Sequence, residues 1–68
     1  MTPATLATIG RALYGERWQT ALAADLGVAD RTMRRWAAGT SAMPSGLEAD
    51  LRRLLEERGA EIGRLLAA

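Results

Sequence analysis

Two short apolar rhythms meet at a glycine. Between Gln19 and Gly39, one set (Leu22, Ala23, Leu26) precedes Gly27 and a second (Met33, Trp36, Ala37) follows it. Helical spacing places each set on one face of a short helix. Gly27 permits the bend between them, because a left-handed backbone there costs a residue with a β-carbon ~1 kcal/mol or more. Val28 then plugs the corner. The chain therefore predicts two short helices clasped at a tight turn, with Arg31, Arg34 and Arg35 left outward on the second.

Length restricts what can be built round that pair. A chain of 68 residues is one small domain with a single core, and burial of only about 60% of its extended surface leaves it marginal unless a second copy or ligand adds more. The whole chain, 1–68, is expected to be that domain. Cysteine and histidine are both absent. Disulfides, thiolate zinc sites and Ser-His or Cys-His nucleophile pairs therefore cannot form. No catalytic residue, metal ligand or cofactor is expected, and an enzyme is not the reading. Met1 leads straight into a helix start, and no apolar run reaches the ~18 residues that mark a membrane span. A cytoplasmic protein with neither span nor signal peptide is expected.

The net charge of +1 hides an uneven distribution. Residues 1–27 balance Arg11 and Arg17 against Glu16 and Asp25. Residues 28–43 set Arg31, Arg34 and Arg35 against Asp30, a surplus of two positive charges, whereas residues 44–68 carry four arginines and five acids. The positive surplus falls on the helix after the turn.

The chain predicts four to five short helices and no strand, an all-α fold. Thr2 before Pro3 is a start signal: threonine caps free amides, and proline in the first turn loses no needed donor. Leu6, Ile9 and Leu13 share a face, so the first helix runs from Pro3 to Tyr14 and stops at Gly15. The second runs from Trp18 to Leu26. Asp30 is placed to cap the third by accepting the amide of Thr32 or Met33, which then runs from Arg31 to Ala38 before Gly39. Ser45 and Glu48 have capping-box spacing, so the fourth helix is expected to begin there, with Leu47, Leu51, Leu54 and Leu55 closing the core.

Past Leu55 two courses are open. Ile62, Leu65 and Leu66 continue the apolar spacing, but Gly59 and Gly63 each cost about 1 kcal/mol relative to alanine inside a helix. Either one kinked helix continues, or a fifth begins after Gly59. The pairs Glu48/Arg52, Arg52/Glu56 and Arg53/Glu57 favour helix by ~0.2–0.5 kcal/mol each, and the arginines here read as a solvated, acid-interleaved face. Residues 59–68 are the candidate dimerisation tail, with Ile62, Leu65 and Leu66 at the interface. The competing expectation is that these side chains fold back over Leu13 or Tyr14.

Residues 19–39 resemble the helix-turn-helix of the Cro and lambda-repressor (XRE) class of phage and bacterial regulators. The matching features are Gln19 opening a helix, Ala23 at the crossing, Gly27 and Val28 in the turn, and Met33 with Trp36 as buried anchors. The resemblance implies a lambda-repressor-like DNA-binding domain with a central helix-turn-helix. Its function would be that of a homodimeric, sequence-specific transcriptional regulator, an autoregulatory repressor on a palindromic operator, phage-encoded or nucleoid-associated in a bacterium. Carried over by position, Ala29, Asp30, Arg31, Arg34 and Arg35 face the major groove of double-stranded DNA. Gln19, Thr20, Thr32, Thr40 and Ser41 fall at phosphate-contacting positions. An arginine fork bonds guanine O6 and N7 together, worth ~1–3 kcal/mol of discrimination, so at least one G·C pair per half-site is implied. No small-molecule effector is expected. The rival reading is a protein-interaction module, such as an antitoxin or a phage-encoded inhibitor, that turns the same arginine face toward an acidic partner.

Overall fold

The computed structural model describes residues 1–68 and contains four helices and no strand: α1 (Pro3–Tyr14), α2 (Trp18–Leu26), α3 (Asp30–Ala38) and α4 (Leu47–Ala67). The start of α1 is as the sequence predicts. Thr2 is extended, and its hydroxyl oxygen accepts the Thr5 amide at 3.1 Å. The turn after α2 also forms at the expected residue, with Gly27 left-handed at φ 71° and ψ 30°. The Val28 amide reaches back to the Ala23 carbonyl at 3.0 Å, which satisfies a helix-end acceptor and fixes the direction of the chain. Gly39 repeats the device at the end of α3, where Thr40 donates its amide to Arg35.

One core holds the helices together. Leu6 of α1, Trp18, Leu22 and Ala23 of α2, Met33 and Trp36 of α3, and Leu47 and Leu51 of α4 form a single buried cluster. The residues either side of Gly27 are therefore packed as their spacing requires. Ile9, Leu54 and Val28 are half-buried against the same cluster.

The expected caps of α3 and α4 are both corrected. Asp30 does not cap α3: Ala29 is the N-cap residue, extended at φ −69° and ψ 148°, and Asp30 is the first helical residue. Its carboxylate still lies in the first turn, where it complements the helix dipole. The Ser45/Glu48 capping box does not form either. Leu47 donates its amide to the Pro44 carbonyl at 3.1 Å, so Ser45 and Gly46 are spent in a turn and α4 starts at Leu47 with no side-chain cap. The turn closes before the serine can serve a helix.

The open question after Leu55 resolves as one continuous α4 of 21 residues, and there is no fifth helix. The helix leaves the core part-way along. Leu47 and Leu51 are buried and Leu54 half-buried, but Leu55 is 39% exposed and does not help close the core as expected. Every residue from Gly59 to Ala68 is exposed, so the tail does not fold back over Leu13 or Tyr14. This projection stretches the molecule to 43 Å against 23 and 21 Å in the other directions. Of the expected helix-face ion pairs only Arg53 to Glu57 forms, at 3.3 Å and well exposed.

Arg58 departs from the expected solvated face. Its guanidinium donates to the Leu13 carbonyl at 2.6 Å and lies 5.8 Å from the centre of the Tyr14 ring. It satisfies an end-of-helix carbonyl of α1, and every residue of α4 beyond it is exposed. Tyr14 in turn donates its hydroxyl to the Asp25 carboxylate of α2. One small polar cluster thus ties α1, α2 and α4 together at the end of α1.

That cluster has an alkaline limit. Desolvation, then the hydrogen bond to Asp25 and its negative charge, push the Tyr14 hydroxyl from 10.0 up to about 12, against a smaller opposing pull from Arg58. Because the folded value lies above the unfolded one, the contribution is complete below pH 10 and is lost as pH rises from there toward 12. Tyr14 is the only tyrosine, so tyrosinate absorbance follows this group alone. The melting temperature is expected to fall across that window in step with the absorbance. A Tyr14→Phe chain that loses the same stability over the same window would remove Tyr14 as the cause.

Candidate nucleic-acid interface

The outward side of α3 is assembled by helix geometry. At 3.6 residues per turn, Met33 and Trp36 fall on one side, with Ala37 and Thr32 at its edges. Met33 and Trp36 are buried, and Ala37 and Thr32 are half-buried. The opposite arc carries Asp30, Arg34, Ala38, Arg31 and Arg35 in rotational order, and all five are exposed. Nothing in the chain covers this arc. The one ion pair in the molecule joins Arg53 to Glu57, so Arg31, Arg34 and Arg35 have no acidic partner, Asp30 beside them included. Three free guanidiniums on about a turn and a half of rigid helix form a positive ridge.

Rigidity comes from both ends of α3. At its start the Met33 amide donates to Ala29 at 3.1 Å, while exposed Ala29 adds no side chain that would hinder close approach to the first turn. Its end is locked by Gly39 and Thr40. The Thr40 amide and hydroxyl both donate to the Arg35 carbonyl, at 3.0 and 3.3 Å. Thr40 therefore holds the end of α3 in place, and its hydroxyl would have to give up this bond to donate to a phosphate. Ser41 is half-buried and lines a pocket of about 300 Å³ with Pro3, Met43 and Leu47.

The start of α2 offers a second cluster of donors. Arg17 occupies its N-cap position without a side-chain cap, so the first amides of α2 receive no side-chain acceptor from within the chain. Gln19 is half-buried and Thr20 exposed, and both line a shallow depression with Glu16 and Arg17. Ile62, Leu65 and Leu66 stand apart from both clusters, on the projecting half of α4, 49%, 70% and 82% exposed.

Sequence reasoning missed two residues that position this surface. Gly10 is buried against Trp18, the first residue of α2, and Arg58 fixes α4 to the end of α1. A glycine inside an apolar helix carries a weak signal of close packing, whereas Arg58 carried none that distinguished it from its neighbours. No helix is long and apolar enough to cross a membrane. Comparison of the chain with protein-family models, with curated proteins and with solved structures finds no match in any of the three.

Proposed function

We propose that this chain is a sequence-specific double-stranded DNA-binding regulator of the Cro and lambda-repressor helix-turn-helix kind, acting as a homodimeric, autoregulatory repressor in the cytoplasm. The observation that carries the reading is the ridge of Arg31, Arg34 and Arg35, exposed, unpaired and backed by the buried Met33 and Trp36. A helix about 10–12 Å across matches the width of the major groove. Guanidinium forks projecting from it meet guanine edges in a geometry a lysine ammonium does not reproduce.

The roles divide by position. Arg34 and Arg35 read bases, Arg31 and Asp30 meet base edges nearer the start of α3, and Ala29 leaves room for the duplex. Gln19, Thr20 and the uncapped amides at the start of α2 hold a phosphate, as helix N-termini do. Thr32 and Ser41 lie at the margins of the same surface, and Thr40 supports it by fixing the end of α3.

Selection of bound duplexes from a random pool tests the reading directly. A shared, two-fold symmetric site containing G·C pairs is expected. Affinity for that site should fall as log affinity against log salt with a slope of about −0.9 per phosphate neutralised in B-DNA. A pool that returns no preferred sequence would overturn the proposal and favour an acidic protein as partner of the arginine ridge.

A further inference from the structure

The projecting half of α4 carries a regular apolar line on an exposed face. Leu55, Gly59, Ile62 and Leu66 follow a four-three-four spacing, which at 3.6 residues per turn draws one nearly straight line along the helix. Leu55, Ile62 and Leu66 are three of the five large apolar side chains left exposed. Nothing lies within 4 Å of a β-carbon built on Gly59 or Gly63, so within one chain the two glycines weaken the helix and make no contact in return. Leu55 also forms a wall of a groove of about 410 Å³ between α1 and α4, shared with Thr5, Ile9 and Leu51, with Glu48, Arg52 and Glu56 also in its lining.

We infer that α4 pairs antiparallel with α4 of a second copy, about a two-fold axis passing between Ala60 and Glu61, with Gly59 as the socket for Ile62. Turning one copy end for end about that axis sets Leu55 against Leu66 of the partner subunit and Ile62 against Gly59 of the partner subunit. Every residue of the line then has a complement, and every contact occurs twice, as an isologous interface requires. The missing side chain at Gly59 lets the backbones approach where the β-branched Ile62 needs depth. The groove beside Leu55 opens where the partner's Leu66 arrives.

Charge selects this direction over the parallel one. In parallel, in-register pairing the same line continues to Arg52 and Glu48, which would bring two arginines and two glutamates face to face. Antiparallel pairing carries Glu48 and Arg52 past the end of the other helix, and the two dipoles oppose. Leu65 falls on the flank of this seam, so its role at the interface is secondary to that of Leu55. The body of each copy leaves the paired helices near Leu51, and the two exits are about 28 Å apart at ~1.5 Å per residue. The inference rests on the homodimer proposed above for the identity of its partner, and on DNA recognition for nothing.

Because the chain has no cysteine, introduced thiols report the register without interference. The whole chain carrying both Leu55→Cys and Leu66→Cys is expected to oxidise to a closed covalent dimer with two bridges, whereas either single variant stays unlinked. Within one helix the two positions are about 16 Å apart at ~1.5 Å per residue, too far to bridge. Ile62→Glu should lower the sedimentation mass to that of one chain, with an unchanged helical spectrum. An efficient cross-link in either single variant, a ladder of larger species, or a native chain that sediments as one copy at all concentrations would each overturn the inference. No duplex is present in these measurements, so a cross-linked dimer that selects no DNA defeats the DNA reading and leaves the pairing standing, whereas a native dimer that selects a two-fold site but does not link through Leu55→Cys and Leu66→Cys defeats only this pairing.

Discussion

Replacing Gly10 with alanine should cost this domain a large part of its stability, and replacing it with valine should prevent folding. Gly10 is buried in the middle of α1, and a β-carbon there would overlap the Trp18 indole, standing 2.9 Å from Cγ and closer still to Cδ2 and Cε3. Those are the root and body of the ring. Trp18 cannot swing clear, because it is 3% exposed and belongs to the main core cluster with Leu6, Leu22 and Met33. Overpacking of this kind costs about 1–3 kcal/mol and sometimes more. Alanine recovers up to about 1 kcal/mol through its better helix propensity, while valine adds bulk and recovers less.

The margin is small enough for that to be decisive. Cores of chains this short rarely supply more than about 3–5 kcal/mol, and each kcal/mol moves the melting temperature of a 60–100-residue domain by roughly 4–8 °C. Gly63→Ala provides the control, since it makes the same exchange within a helix where nothing is within 4 Å. At concentrations too low for association, Gly63→Ala should melt higher than the native chain and Gly10→Ala lower. Equal or opposite shifts, read by far-ultraviolet circular dichroism, would mean that Trp18 does not pack on Gly10.

The contrast between these glycines also separates what was legible in the sequence from what was not. Gly15, Gly27 and Gly39 end three apolar rhythms, and each has a positive φ; local pattern and local conformation agree there, and the bounds of α1 and α2 follow. The paired faces on either side of Gly27 were equally legible, because core burial at helical spacing is a property of neighbouring residues. Gly10 was not. Its constraint comes from Trp18, which the α1 to α2 turn brings back against it, and no spacing rule contains that fold. Arg58 and the Tyr14 to Asp25 bond were hidden for the same reason, since their partners lie 45 and 11 residues away. The two caps failed on shorter range: Ala29 took the extended position next to Asp30, and Pro44 turned the chain at Ser45 before a capping box could close. The arginine ridge was legible as an outward face, and its freedom from acidic partners became visible only with the fold.

That freedom makes the ridge testable without disturbing the scaffold. A chain with both Arg34→Ala and Arg35→Ala is expected to fold and melt as the native chain does, within the ~0.5 kcal/mol usual for exposed positions, because neither guanidinium has an acidic partner and alanine is a strong helix former. Its affinity for the selected duplex should fall at least a hundredfold, since each bidentate arginine contributes ~1–3 kcal/mol to base discrimination and the losses recur in both half-sites. The way the loss is distributed carries the mechanism. Arginines that read bases lose the preferred duplex while random DNA is still bound nearly as well; arginines that touch only phosphates weaken both alike and reduce the salt slope. Arg34→Lys and Arg35→Lys sharpen the distinction, because a lysine keeps the charge and loses the planar fork. Fluorescence anisotropy against the selected and the scrambled duplex measures all of these. Native-like affinity for the selected duplex in the double alanine chain would remove α3 from the groove, whatever else the molecule binds.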